Sequence, residues 1–169
     1  MSGKDNRVGK DTERRVATFL RENGWPQVER TVRTGYRIAR RTSEDQGDLT
    51  GTPGLTFQVK SMRPATEAER LVPQWLAETA DQAQAAGGTV GVLVVRRWGP
   101  GHATAGSWWA YVDALQFLGL ADGWNPWAYA AAELNQLVPV RLRLSDLTSM
   151  LRAWGFGEPW PTDTLETTP

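Results

Sequence analysis

Three short groups of residues stand in an order that could break a phosphodiester: Glu13, then Gly47-Asp48, then Gln58-Val59-Lys60. That hydrolysis needs a hard divalent cation to activate water and offset charge on the phosphate, and oxygen donors suit Mg2+. Asp48 and Gln58 supply side-chain oxygens, and the Val59 carbonyl is a further ligand. The Lys60 ammonium can orient the attacking water or stabilise charge in the transition state. Glu13 lies three, four and seven residues before Val16, Ala17 and Leu20. That spacing puts a carboxylate on the buried side of a helical stripe, where an unpartnered charge is costly.

The elements that must position these groups follow from periodicity and breakers. A helix is predicted over 9–23, closed by Gly24 and Trp25-Pro26, with Val16, Ala17 and Leu20 as its apolar stripe. Residues 28–33 read as a strand and 36–41 as a weaker one. Residues 47–51 and 55–61 flank Thr52-Pro53-Gly54, the pattern of a hairpin. A turn centred on Pro53 sets Asp48 opposite Gln58, and period-2 alternation puts Lys60 on the same face.

A second helix is expected over 73–86, with Pro73 in its first turn and Gly87-Gly88 as its stop. The apolar run at 89–96 reads as a central, doubly covered strand. A glycine-rich loop at 98–107 holds His102, which reads as an ordinary surface residue. Beyond it come a strand at 108–112, a short helix at 114–118, a helix at 127–137 and a strand at 138–144. Ser145 is the expected cap of a last helix reaching Trp154.

Composition narrows the class. The 169 residues have room for one domain, and the absence of Cys excludes thiolate chemistry. One histidine is too few for a multi-His metal site. The opening Met1-Ser2-Gly3-Lys4-Asp5 is polar, unlike a secretory signal, and no apolar run is long enough to span a membrane. A soluble, cytoplasmic protein is expected. The 19 basic and 19 acidic residues cancel, yet residues 1–70 carry 14 Lys/Arg against 10 Asp/Glu, whereas the rest carry 5 against 9. Arg30, Arg33, Arg37, Arg40 and Arg41 fall in one stretch without an intervening acid. Such a cluster is the electrostatic footprint of a phosphate-binding surface, with Arg141 and Arg143 next in line, or of a solvated strand edge kept basic against aggregation.

Taken together, Gly9-Lys10-Asp11-Thr12-Glu13, the Arg-rich stretch, Gly47-Asp48-Leu49, Gln58-Val59-Lys60 and Gly91-Val92-Leu93-Val94-Val95 resemble the PD-(D/E)xK nuclease superfamily. Within it the likeness is to the archaeal-type Holliday junction resolvases and their bacteriophage relatives, over residues 9–112. The resemblance implies an α/β fold with a mixed central sheet flanked by helices on both faces, a restriction-endonuclease-like core. It implies a homodimeric, structure-selective DNA endonuclease of recombination and repair, acting on branched or duplex DNA in a bacterial or phage-infected cell. Mg2+ is the implied cofactor, with Mn2+ able to substitute. Glu13, Asp48, Gln58 and Lys60 are the implied catalytic residues, with Glu13, Asp48, Gln58 and Val59 on the metal.

One position departs from the pattern, because the family places Glu or Asp where this chain has Gln58. An amide oxygen brings no formal charge, so metal affinity should fall. The alternatives are a RecB-like exonuclease, a flap or repair nuclease, or an inactive DNA-binding protein of the same fold. The expected organisation is one nuclease-like domain over 1–157, with a Trp-rich annex at 113–157, followed by a tail at 158–169 whose composition predicts disorder.

Overall fold

Val90-Gly91-Val92-Leu93-Val94-Val95 offers no polar position for a solvent-facing side, so a strand built from it must be covered on both faces. It is. The structure, a computed structural model, describes residues 3–31, 47–87, 90–121 and 137–159. In chain order the elements are α1 (Gly3–Glu22), β1 (Glu29–Arg30), β2 (Leu49–Thr50), β3 (Leu55–Lys60), α2 (Ala65–Ala85) and β4 (Val90–Val95). A 3-10 turn (Ala105–Ser107), β5 (Trp109–Asp113), α3 (Ala114–Ala121), β6 (Pro139–Arg143) and α4 (Leu144–Ala153) follow.

Strands β3-β4-β5-β6 form a mixed sheet in that order, with β3 parallel to β4 and the remaining pairs antiparallel. The parallel pair is the one joined by a helical crossover, α2, as such a pair requires. β1 and β2 make a separate antiparallel ribbon, with Glu29 opposite Thr50 and Arg30 opposite Leu49. The fold is therefore mixed α/β, with helices on both faces of the four-stranded sheet.

Alternation along the strands divides the core in two. On one face Phe57, Val59, Val92, Val94, Ala110 and Val112 pack against α1 and α4. On the other, Leu93, Val95 and Tyr111 pack against Ala68, Val72, Trp75 and Leu76 of α2. Leu144, Leu147 and Leu151 of α4 are fully buried beside Val16 and Leu20 of α1. Each such side chain contributes roughly 1.5–3 kcal/mol by its removal from water. The segment expected as a Trp-rich annex thus supplies an edge strand and a helix to the main core.

Several expected boundaries move. Helix α2 starts at Ala65, and Pro73 lies inside it. A proline removes one helical hydrogen bond, yet Pro73 is exposed here, as is Glu69, whose carbonyl loses that donor. The buried stripe Ala68, Val72, Trp75, Leu76, Thr79 and Ala83 runs through both sides of it and outweighs that loss. Helix α1 likewise starts at Gly3, so Gly9 to Glu13 lie within it rather than opening it. Ser145 is not a cap: α4 is preceded by Arg143, with no side-chain cap, and the Ser145 hydroxyl donates to Asp146 Oδ1 at 3.2 Å. The strand expected over 36–41 lies outside the described residues, as do nearly all of the helix expected over 127–137 and of the tail. Among the described residues no helix is long and apolar enough to cross a membrane.

Candidate functional site

The site grows from a close approach of two backbones. Gly47 sits at φ +88°, and a Cβ there would lie 2.7 Å from the Phe57 carbonyl oxygen. Only glycine tolerates both conditions. The approach lets the Asp48 N–H donate to the Phe57 carbonyl at 2.8 Å, while the Asp48 carbonyl accepts from Thr31 N–H at 2.9 Å. Asp48 is thereby fixed where the β1-β2 ribbon leaves the edge of β3. Its carboxylate Oδ2 accepts the Val59 N–H at 2.7 Å, a short charge-assisted bond.

This corrects the expected hairpin register. Asp48 does not face Gln58 across a ladder; β2 and β3 belong to different sheets, and its backbone bond goes to the preceding residue, Phe57. The turn itself forms, with Leu55 N–H donating to the Thr52 carbonyl at 2.9 Å and the Thr52 hydroxyl to the Leu55 carbonyl at 3.0 Å. In a strand the N–H and C=O of one residue point the same way. The Val59 carbonyl therefore faces the side on which the Asp48 carboxylate lies.

Gln58 and Lys60 alternate onto the α2 face. Gln58 is buried, 5% exposed, and its amide is held by the helix. With the amide nitrogen toward α2, it donates to the Trp75 carbonyl at 3.0 Å and to Thr79 Oγ1 at 2.8 Å, and the amide oxygen accepts from Lys60 Nζ at 3.3 Å. The reverse orientation would ask the single Thr79 proton to serve two acceptors, the Trp75 carbonyl at 2.7 Å and Gln58 at 2.8 Å. The first arrangement satisfies every group, so the oxygen of Gln58 faces Lys60.

Glu78 of α2 completes the cluster. Its Oε2 accepts from Lys60 Nζ at 3.0 Å, so one ammonium bridges the Gln58 and Glu78 oxygens. The Lys60 hydrogen bond is the main reason that the Glu78 carboxyl titrates below the usual range; burial opposes it, and Gln74 and the Lys60 charge add to it. A depressed carboxylate pKa stabilises the fold above the ordinary value of 4.5 and loses that contribution as pH falls through the lowered one. Lys60 and Glu78 side chains are 27% and 40% exposed, so the pair is worth about 0.2–1 kcal/mol. Chemical unfolding of wild type and Glu78→Gln should therefore differ by that amount at pH 7 and converge as the pH falls through the lowered Glu78 pKa; a constant gap across the acid range would discount the pair.

Glu78 was not legible in the sequence. It is one of several Glu residues in a long helix, and only the crossing of α2 over β3 brings it to Lys60.

Glu13 is half-buried on α1, and its Oε2 accepts from Arg30 Nη1 at 3.3 Å, with both side chains 21% exposed. The cost of its position on the apolar stripe is thus offset by an ion pair. Arg30, expected on the DNA surface, is engaged there. Arg33, Arg37, Arg40 and Arg41 lie outside the described residues. Of the polar α2 residues beyond the cluster, Gln82 is half-buried and Gln84 is exposed.

Among the described residues no group of three or more His, Asp or Glu side chains is placed to hold a metal ion. The oxygen donors stand in two groups, Asp48 with the Val59 carbonyl at the β3 edge, and the Gln58 amide oxygen with Glu78 around Lys60 on the α2 face. All are hard oxygen donors, the kind Mg2+ selects when it keeps several waters. The set fits that ion in kind, with less negative charge than a three-carboxylate centre. No family model matches the chain, and neither the search of curated proteins nor that of solved structures returns a match.

Proposed function

We propose that the chain is a metal-dependent DNA phosphodiester hydrolase, structure-selective in the manner of a Holliday junction resolvase. The observation that supports the reading is the seating of the Asp48 carboxylate on the Val59 N–H at the edge of β3 where the β1-β2 ribbon departs, with Gln58 and Lys60, the neighbours of Val59 in the strand, on the α2 face. The order α1-β1-β2-β3-α2-β4, with an antiparallel ribbon feeding a parallel β3-β4 pair, supports it.

Asp48, the Val59 carbonyl and Gln58 would hold Mg2+ or Mn2+, which supplies Lewis-acid charge and a more acidic water when bound. Asp48 is pre-oriented by the Val59 N–H, so little is lost in ordering it. Lys60 offers an ammonium to the water or to the phosphate oxygens, and Glu78 limits where that ammonium can sit. Two copies acting together on a four-way junction belong to the same proposal.

A second reading has its own observation. Gln58 is tied to α2 through Trp75 and Thr79, and no three-acid cluster exists among the described residues. Both features favour a DNA-binding protein that kept the fold and lost catalysis. Cleavage of a four-way junction, a flap and a linear duplex, each with Mg2+ and with EDTA, separates the two. Metal-dependent products from the junction at least about tenfold faster than from duplex support the resolvase-like reading. Binding without products on any substrate supports the second.

A further inference from the structure

Only five of the 19 basic residues follow position 70, and four of them, Arg96, Arg97, Arg141 and Arg143, converge on one place. There, between the first turns of α2 and the ends of β4 and β5, opens a pocket of about 220 Å³ lined in part by Glu69, Arg97, Trp98, His102, Trp109 and Tyr111. The register puts Arg143 opposite Trp109 and Arg141 opposite Tyr111, so these two lie on the α2 face beside the pocket that Arg97 lines, whereas Arg96 reaches Asp11 and Thr12 of α1.

The arginines are held in place by rings. Trp109 carries Arg97 at 4.1 Å and Arg141 at 4.7 Å from its centroid, and Trp98 carries Arg63 at 3.6 Å and Arg96 at 3.9 Å. A stacked guanidinium has lost its rotamer freedom before any ligand arrives and still presents N–H groups at its edge. Arg97 spends one of these on the Ser107 carbonyl at 3.0 Å.

The charges are not balanced. Arg96 pairs with Asp11 at 3.1 Å and Arg141 with Glu69 at 3.2 Å, but Arg97 and Arg143 have no carboxylate partner among the described residues. Burial first, then the charges of Arg143 and Arg141, hold the Arg97 pKa below its usual value. A protein that gathers like charges loses stability unless an anion relieves them. In addition, His102, expected at the surface, is half-buried, and its Nδ1 is buried without a hydrogen-bond partner. A buried polar atom left unpaired is costly until something bonds to it.

We propose that this pocket binds a terminal phosphomonoester of a DNA strand, with Arg97, Arg141 and Arg143 on the phosphate and the aromatic wall beside the adjoining nucleotide. Three guanidinium groups against the single carboxylate of Glu69 leave an excess of two positive charges. That matches a dianionic phosphomonoester better than a singly charged carboxylate or an internal phosphodiester. The inference goes beyond the nuclease reading and does not need catalysis, because an inactive protein would carry the same pocket.

The test uses the full chain in EDTA, so that no cleavage intervenes, with short single-stranded oligonucleotides followed by fluorescence anisotropy. One pair bears a 5′-phosphate or a 5′-hydroxyl, and a second pair a 3′-phosphate or a 3′-hydroxyl, each labelled at the opposite end. At least one phosphorylated end should bind about tenfold more tightly than its hydroxyl counterpart, and the pair showing the difference identifies which end is held. Arg97→Ala should abolish the difference, and Arg143→Ala, at an exposed position on β6, should reduce it without threatening the fold. Glu69→Gln should widen it by freeing Arg141. Equal affinity for phosphate and hydroxyl ends in both pairs overturns the proposal, as does a difference unchanged in Arg143→Ala and Glu69→Gln.

Discussion

Asp48→Ala should lower junction cleavage by about a thousandfold or more while DNA affinity stays within about threefold. The asymmetry follows from what each group contributes. Asp48 is the carboxylate fixed at the β3 edge, so its loss removes the main charged ligand for a cation. Affinity for DNA rests instead on arginines contacting phosphates, which the substitution leaves in place. The change also leaves the Val59 N–H without its acceptor, at a cost of about 1–3 kcal/mol. A thermal melt run beside the kinetics separates a catalytic loss from unfolding. Asp48→Asn, which retains an acceptor oxygen, should be equally inactive and closer to wild type in stability. Wild-type turnover in Asp48→Asn would remove Asp48 from the reaction.

Gln58→Glu should have opposite effects on stability and on metal use. A carboxylate binds hard cations more tightly than an amide does, so half-maximal cleavage should need several-fold less Mg2+. The structure adds a cost that the sequence does not reveal. The Gln58 amide nitrogen donates to the Trp75 carbonyl and to Thr79 Oγ1, and a carboxylate can donate to neither. Setting an acceptor against the Trp75 carbonyl in a buried position costs about 1–3 kcal/mol. For a chain of this length that lowers Tm by roughly 2–10 °C. Lys60, already bridging Gln58 and Glu78, would offset part of it. The variant should therefore melt early in EDTA and recover with Mg2+, whereas the wild-type melt should shift less. A melt of Gln58→Glu that ignores Mg2+ counts against Gln58 as a ligand, whatever happens to the rate.

The α/β class, the doubly covered strand at Val90 to Val95 and the apolar stripe of α1 were legible in the sequence. They rest on periodicity, which is a local property. The role of Gly47 was not legible, because its φ of +88° and its approach to the Phe57 carbonyl depend on where β3 lies. The identities of Asp48, Gln58 and Lys60 as candidate groups also came from local order and spacing.

What only the tertiary structure decided is who faces whom. The pairing of Asp48 with the Val59 N–H depends on β2 leaving β3, and a one-residue change in strand register is invisible to composition. Pro73 opens a helix in a local reading, yet α2 already begins at Ala65 and runs through it, because burial of its apolar stripe is settled by the sheet beneath. Glu78 reaches Lys60, and Arg97 reaches Arg141 and Arg143, only because crossovers bring distant segments together. Long-range contacts of this kind have no period in the sequence. They are selected by how buried faces fit and by which charges can be paired once water is gone.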